Sequence, residues 1–166
     1  MVKKPIQKPK PKPKNPKDRA IRLLTSRERT VFELRHQLLQ EGFLEIEVEE
    51  VLQWCQEVGY VNDQRTAKQW VEHRNRFKPM GSFGLKSELQ RKGLADDIIA
   101  DVVNSPDNEY KLAKELANKK RNSLAKLPKE KQYLRVGGLL NRRGFSWDII
   151  NRVLNEMFTS SLDTDL

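Results

Sequence analysis

The sequence predicts an all-α fold: three tandem three-helix modules forming an elongated, curved repeat, preceded by a disordered Lys/Pro-rich tail. Three observations carry that reading. Gly42, Gly93 and Gly144 stand 51 residues apart. Apolar residues superimpose around each glycine without a gap: Leu34, Leu85 and Val136 eight before it, Leu38, Leu89 and Leu140 four before, and Phe43, Leu94 and Phe145 one after. Downstream, Val48, Val51 and Leu52 align with Ile99, Val102 and Val103 and with Ile150, Val153 and Leu154. Spacings of three and four are helical, so each copy holds a helix, a glycine turn and a second helix with one apolar face apiece. A unit of this length cannot bury its face alone and packs against its neighbours.

The modules are expected at residues 19–59, 60–106 and 107–158, with a disordered basic tail over 1–18 and a frayed end over 159–166. In the first module a short amphipathic helix from about Arg19 to Thr25 carries Ala20, Ile21, Leu23 and Leu24. Thr30 and Glu33 have the spacing of a capping box and open a second helix, which Gly42 ends because glycine adopts the left-handed conformation cheaply. A third helix from about Glu45 turns Val48, Val51, Leu52 and Cys55 inward and ends by Gly59. In the second module Asn62 or Asp63 caps a helix with Ala67, Trp70 and Val71. A turn at Pro79–Gly84 leads to the helix before Gly93, and the last helix stops at Asn104-Ser105-Pro106. The third module begins near Asn108 with Leu112, Ala113, Leu116 and Ala117, passes a loop at Pro128, and closes with a helix from Ser146 to about Phe158. No sheet is expected. Gly137 and Gly138 interrupt the third module's middle helix, at a cost of about 1 kcal/mol each relative to Ala, and fit either close helix packing or a weak spot.

The chain of 166 residues is 37% hydrophobic and 33% charged, which supports modest cores under a heavily solvated surface. Its single cysteine excludes an internal disulfide framework and suits a reducing cytoplasm. Cys55 reads as a small buried apolar residue rather than a reactive thiol. Neither a membrane span nor a secretory h-region is indicated. The net charge of +9 is concentrated: residues 1–19 carry seven lysines and Arg19 against Asp18, which places +7 there and leaves +2 for the rest. Pro5, Pro9, Pro11, Pro13 and Pro16 alternate with those lysines, a composition that cannot offset its ordering entropy. Such a leader either solubilises or attracts phosphates or an acidic partner weakly.

Catalytic constellations are absent from the pattern, so neither an enzyme nor a cofactor is expected. His36 and His73 lie on charged helix faces without metal-ligand spacing, and no metal is expected. Gly81-Ser82-Phe83-Gly84 has the look of a phosphate loop, but neither the glycine spacing nor the lysine position is that of one. Asp96 and Asp97 are adjacent and do not share a helix face; the macrodipole accounts for them at a helix start. A helix-turn-helix reading of the glycine turns fails on charge. The helix after the turn carries Glu45, Glu47, Glu49, Glu50 and Glu57 in the first module and Asp96, Asp97 and Asp101 in the second, and a major groove would repel it.

Basic residues fall elsewhere, among them Arg74, Arg76, Lys78, Lys86, Arg91 and Lys92 in the second module and Arg142 and Arg143 in the third. Before the turn glycine the first module has Gln40-Glu41, where the others have Arg91-Lys92 and Arg142-Arg143. The charge is polarised, acidic at one end and basic along the remainder. Such a surface is either solubilising or built to meet an extended polyanion or an acidic protein groove. Phe77 and Phe83 flank Lys78; core packing is their expected role, with exposed stacking or anchoring as the alternative.

Gly59-Tyr60-Val61-Asn62-Asp63, Ala67, Arg74 through Lys78, Gly81, and Glu88-Leu89-Gln90-Arg91-Lys92-Gly93-Leu94 together resemble the central signature of the RecX family, bacterial regulators of the RecA recombinase. Thr30 with Glu33-Leu34 resembles the start of that family's first module, and Leu139-Leu140-Asn141-Arg142-Arg143-Gly144-Phe145 its third. The resemblance covers residues 19–158; the Lys/Pro leader and Gly137-Gly138 depart from it. It implies a monomeric cytoplasmic protein that lies in the groove of the RecA–DNA filament. There it limits filament extension, ATP hydrolysis, strand exchange and the coprotease function of the SOS response. It also implies weak binding to single- or double-stranded DNA, with Arg74, Arg76, Lys78, Lys86, Arg91, Lys92, Arg142 and Arg143 facing the filament or DNA, and Gly42, Gly93 and Gly144 as structural turns. The alternative is a non-specific DNA-binding protein acting without RecA.

Overall fold

The structure, a computed structural model, describes residues 15–159. The expectations for residues 1–14 of the tail and 160–166 of the C-terminus lie outside the described residues. Among the described residues every regular element is an α-helix: α1 (Pro16–Ser26), α2 (Val31–Gln40), α3 (Glu45–Glu57), α4 (Asp63–Phe77), α5 (Ser82–Arg91), α6 (Asp96–Val102), α7 (Pro106–Ser123), α8 (Lys129–Arg142) and α9 (Trp147–Thr159). They fall into three consecutive triplets, as the repeat predicts. Two compact units result, one ending at Asn62 and one starting at Asp63.

The first unit holds α1–α3 around Ala20, Leu23, Leu34, Leu38, Val48, Val51, Leu52, Cys55 and Val61. The Thr30 Oγ1 accepts from the Glu33 N–H (3.1 Å) while the Glu33 carboxylate accepts from the Thr30 N–H (3.2 Å), so the capping box is closed in both directions. Cys55 is fully buried, and burial pushes its thiol above the ordinary range, which makes it the apolar filler its register predicts. An ion pair ties α1 to the end of α2: the Arg19 Nε and Nη2 donate to the two oxygens of Glu41 at 2.7 and 2.6 Å.

In the second unit, α4–α6 enclose Ala67, Val71, Leu85, Leu89, Leu94 and Ile99, and α7–α9 enclose Ala113, Ala117, Leu124, Val136, Leu140, Phe145, Ile150, Val153 and Leu154. Gly137 is explained by close packing, since a Cβ there would stand 3.1 Å from Cδ1 of Leu154 on α9.

The same chain reversal ends α2, α5 and α8. The Gly42, Gly93 and Gly144 N–H groups donate to the carbonyls three residues back (Leu39, Gln90 and Asn141; 2.9 to 3.0 Å). The next N–H, of Phe43, Leu94 and Phe145, donates to the carbonyl of Leu38, Leu89 and Leu140 (3.2 to 3.4 Å). This pair of bonds is the Schellman motif, and it requires the left-handed φ of +89°, +74° and +73° found at the three glycines.

Two helices begin earlier than expected. α1 starts at Pro16, inside the segment expected to be disordered, because the Asn15 Oδ1 accepts from the Lys17 N–H (2.8 Å) and Pro16 occupies the first helical position. α7 starts at Pro106 rather than near Asn108, with the Ser105 side chain accepting from the Asn108 N–H (3.4 Å). In both places a proline pre-set for the first turn opens the helix, whereas the sequence reading puts Pro16 in the tail and Pro106 at a helix end. Gly84 also lies within α5 and not in the turn before it.

Candidate functional site

The second and third modules meet through backbone. The Gly81 N–H donates to the Arg143 carbonyl (3.0 Å) and the Gly84 N–H to the Gly144 carbonyl (3.3 Å). A Cβ at Gly81 would fall under 3.0 Å from the backbone of Gly144 and Phe145, one at Gly84 would come 2.6 Å from the Arg143 oxygen, and one at Gly144 would come 2.5 Å from the Gly84 Cα. The glycines with a phosphate-loop look are thus the place where two chain segments touch without side chains between them. Glu109 of α7 locks this joint. It is 5% exposed, and its carboxylate accepts from the Ser82 N–H (3.1 Å), the Ser82 Oγ (2.5 Å) and the Ser146 N–H (3.4 Å). One acid therefore serves the starts of both α5 and α9, where orphan N–H groups and helix dipoles favour negative charge.

This joint arranges the basic residues. Lys78 and Lys86 flank the Pro79–Gly84 side, and Arg142 and Arg143 flank the other side. Arg76, Lys78, Lys86 and Arg142 are exposed. Arg143 is half-buried and its Nη1 donates to the Pro79 carbonyl (3.3 Å), so part of its function is to hold the joint. Arg76 lies over the Phe77 ring, 5.1 Å from its centroid.

A second group gathers about Trp70. The Arg74 Nε and Nη2 donate to the Glu88 carboxylate at 2.8 and 3.0 Å, and the Trp70 Nε1 donates to the same carboxylate at 3.0 Å. The pair is largely buried, with side-chain exposures of 19% and 15%, so Arg74 acts as a strut between α4 and α5. The Lys92 ammonium stands 4.1 Å from the Trp70 ring centroid, with the Arg74 guanidinium at 4.7 Å. Arg91 is exposed, its Nε donating to the Ser87 carbonyl within its own helix (3.3 Å). The eight predicted residues thus divide into exposed charges (Arg76, Lys78, Lys86, Arg91, Arg142) and charges engaged by the fold (Arg74, Lys92, Arg143).

Sequence reasoning missed Glu109 as the lock of the joint and placed Phe77 and Phe83 in the core. Both phenylalanines are in fact exposed, at 64% and 67%. The signal for Phe83 was present in its register, two residues before buried Leu85. Among the described residues no group of His, Cys, Asp or Glu could hold a metal ion, and no helix is long and apolar enough to cross a membrane.

Comparison with known proteins matches the modules one by one. Residues 17–55 match the first three-helix domain of RecX, 62–103 the second and 107–154 the third. The chain is 32% identical over 141 residues to the regulatory protein RecX of Vibrio vulnificus, covering 84% of this chain and 91% of that protein. It is 32% identical over 150 residues to the regulatory protein RecX of Amycolatopsis mediterranei, with 89% and 86% covered. The crystal structure of RecX from Lactobacillus salivarius superimposes with a TM-score of 0.75 at 22% identity, covering 85% of this chain and 93% of that one, and so shares the fold. With all three domains matched in order and relatives aligned over most of their length, this chain belongs to the RecX family.

Proposed function

We propose that this protein regulates the RecA recombinase by binding the RecA–DNA filament in its groove, limiting filament extension and with it ATP hydrolysis, strand exchange and SOS coprotease activity. The observation that carries the proposal is the match of all three modules to a family of proteins named as regulators. Tandem modules suit such a task, because several weak contacts on one chain multiply into useful avidity. The exposed basic residues Arg76, Lys78, Lys86, Arg91 and Arg142 are the filament- or DNA-facing charges in this reading. Lys92 and Arg143 contribute from their half-engaged positions, and Arg74 acts indirectly by holding α4 on α5. A catalytic role is not part of it, and the site of action is the cytoplasm.

The test is inhibition of RecA ATPase on single-stranded DNA by the wild type and by a charge-reversed Lys86→Glu, Arg91→Glu, Arg142→Glu variant. The variant should need about tenfold more protein for the same inhibition, with an unchanged thermal unfolding curve, since reversed rim charges act on encounter and complementarity. Equal potency would remove these residues from the interface. Affinity for naked DNA equal to that for RecA-coated DNA at moderate salt would instead favour DNA binding without RecA, because phosphate-driven affinity falls steeply with salt.

A further inference from the structure

Phe32, Phe83 and Leu134 occupy one register position in the three modules, 51 residues apart. Each lies on the middle helix two residues before a fully buried core residue, Leu34, Leu85 or Val136. Two residues along a helix is a turn of about 200°, so the geometry that buries the second residue must expose the first. The exposures are 50%, 67% and 70%.

A single exposed apolar side chain carries no meaning. Recurrence does, because nothing in the helix, the core or the glycine turn requires a large apolar residue on the outward side. Other exposed apolar residues of the modules do not recur: Leu39 aligns with Gln90 and Asn141, Ile46 with Asp97 and Asp148, Leu44 with Ala95 and Ser146, and Trp147 with Glu45 and Asp96. Phe83 also edges a groove formed with Ile99 and Ala100 of α6 and Val103 after it, and Leu134 edges another with Tyr133 and Phe158.

We infer that Phe32, Phe83 and Leu134 are three equivalent knobs, one per module, that insert into an apolar pocket repeated on the subunits of a protein filament. Resting on the function proposed above, that filament is RecA. Two features choose this occupant. The leucine in the third module has no π-face, so a site that accepts Phe or Leu at one register is an aliphatic pocket and not a nucleobase. A threefold repeated knob calls for a threefold repeated socket, which a polymer of identical subunits supplies and a single globular partner does not. The charges beside the knobs are mixed, Lys86 with Asp96 at Phe83 and Lys129 with Glu130 at Leu134, so the apolar contact and not net charge is what the three positions share.

The experiment uses the full chain and RecA assembled on single-stranded DNA with a non-hydrolysable nucleotide, with naked DNA of the same sequence as the second arm. Phe32→Ser, Phe83→Ser and Leu134→Ser should each weaken filament binding about tenfold, the loss that follows from no longer burying one large apolar side chain. The triple variant should lose a hundredfold or more. Phe32→Leu with Phe83→Leu should bind within about twofold of wild type. Naked-DNA affinity and the circular-dichroism melting curve should not change in any variant. Wild-type affinity in the triple serine variant overturns the inference. So does a leucine variant as weak as the serine ones, or a parallel loss on naked DNA, since both indicate base stacking. Wild-type protein that ignores RecA-coated DNA overturns the proposed function, and the partner assigned here falls with it.

Discussion

Gly42 and Gly144 make the same turn with the same two hydrogen bonds and nearly the same left-handed backbone, yet they stand in different surroundings. A Cβ at Gly42 would meet nothing within 4 Å among the described residues, whereas one at Gly144 would come 2.5 Å from the Gly84 Cα. At Gly42 the residue type answers to local conformation alone. At Gly144 it answers also to a neighbouring module, which lies backbone to backbone against it. Copies of one motif can thus be conformationally equal and energetically unequal, and the copy at a joint is the one that tolerates least.

That difference has a direct measure. Gly144→Ala combines left-handed strain of about 1 kcal/mol with overpacking against immobile backbone of about 2 kcal/mol, so it should destabilise the second unit by about 3 kcal/mol in denaturant unfolding. Gly81→Ala separates the two contributions. Its backbone needs no positive φ, but its Cβ would collide with Phe145, so about 2 kcal/mol of packing cost should remain. Gly42→Ala should cost the strain alone, about 1 kcal/mol. Equal losses at Gly42 and Gly144 would mean that the joint yields and that the contrast is unimportant.

The carboxylate that locks the joint is next in size. Glu109→Ala leaves the part-buried N–H groups of Ser82 and Ser146 without their acceptor, and an unmet buried donor costs about 1 to 3 kcal/mol. A loss of about 2 kcal/mol is expected, with faster amide exchange at the starts of α5 and α9. Protection confined to its wild-type pattern would show that water replaces the carboxylate at no cost.

Which of these features could be read from sequence follows from how local they are. The helices and their apolar faces were legible because they repeat at a fixed spacing, and the glycine turns because a Schellman motif lies within six consecutive residues. Pro16 was misread through the Lys/Pro composition around it, and Pro106 because a proline that cannot continue one helix can start the next; the deciding signal was the Asn or Ser immediately before each. Glu109 was invisible because its partners, Ser82 and Ser146, lie 27 and 37 residues away. Gly81 and Gly84 read in sequence as a turn with the look of a phosphate loop, and no local signal pointed to a close backbone approach. Their partner, Gly144, lies 60 residues or more along the chain from either. Within the basic set, nothing local distinguishes Arg74, held by Glu88 and Trp70, from Arg142, which is exposed.

That last distinction can be sharpened by two single substitutions. Arg74→Gln should cost about 1 to 2 kcal/mol, because it leaves Glu88 largely buried without its charged partner. Arg142→Gln should change stability by less than about 0.5 kcal/mol while weakening association with a negatively charged partner. If Arg74→Gln proves as harmless to the fold as Arg142→Gln, the strut is idle and Arg74 returns to the candidate interface.

The smallest effect concerns the first unit, where the ion pair has the same arrangement at a more exposed place: the arginine comes from α1 and the acid, Glu41, stands directly before the turn glycine. The hydrogen bonds from Arg19 hold the Glu41 carboxyl below its ordinary value. A group lowered on folding stabilises the native state above its unfolded pKa, near 4.3 for glutamate, and that contribution disappears as pH falls through the folded value. The pair is partly exposed, with side-chain exposures of 29% and 21%, so solvent screening keeps the effect small. Urea midpoints for the wild type should therefore fall between about pH 5 and pH 3 more steeply than those of Glu41→Gln, and the two curves should converge at the acid end. Parallel curves would show that Arg19 and Glu41 hold α1 against α2 by packing, with no contribution from their charge.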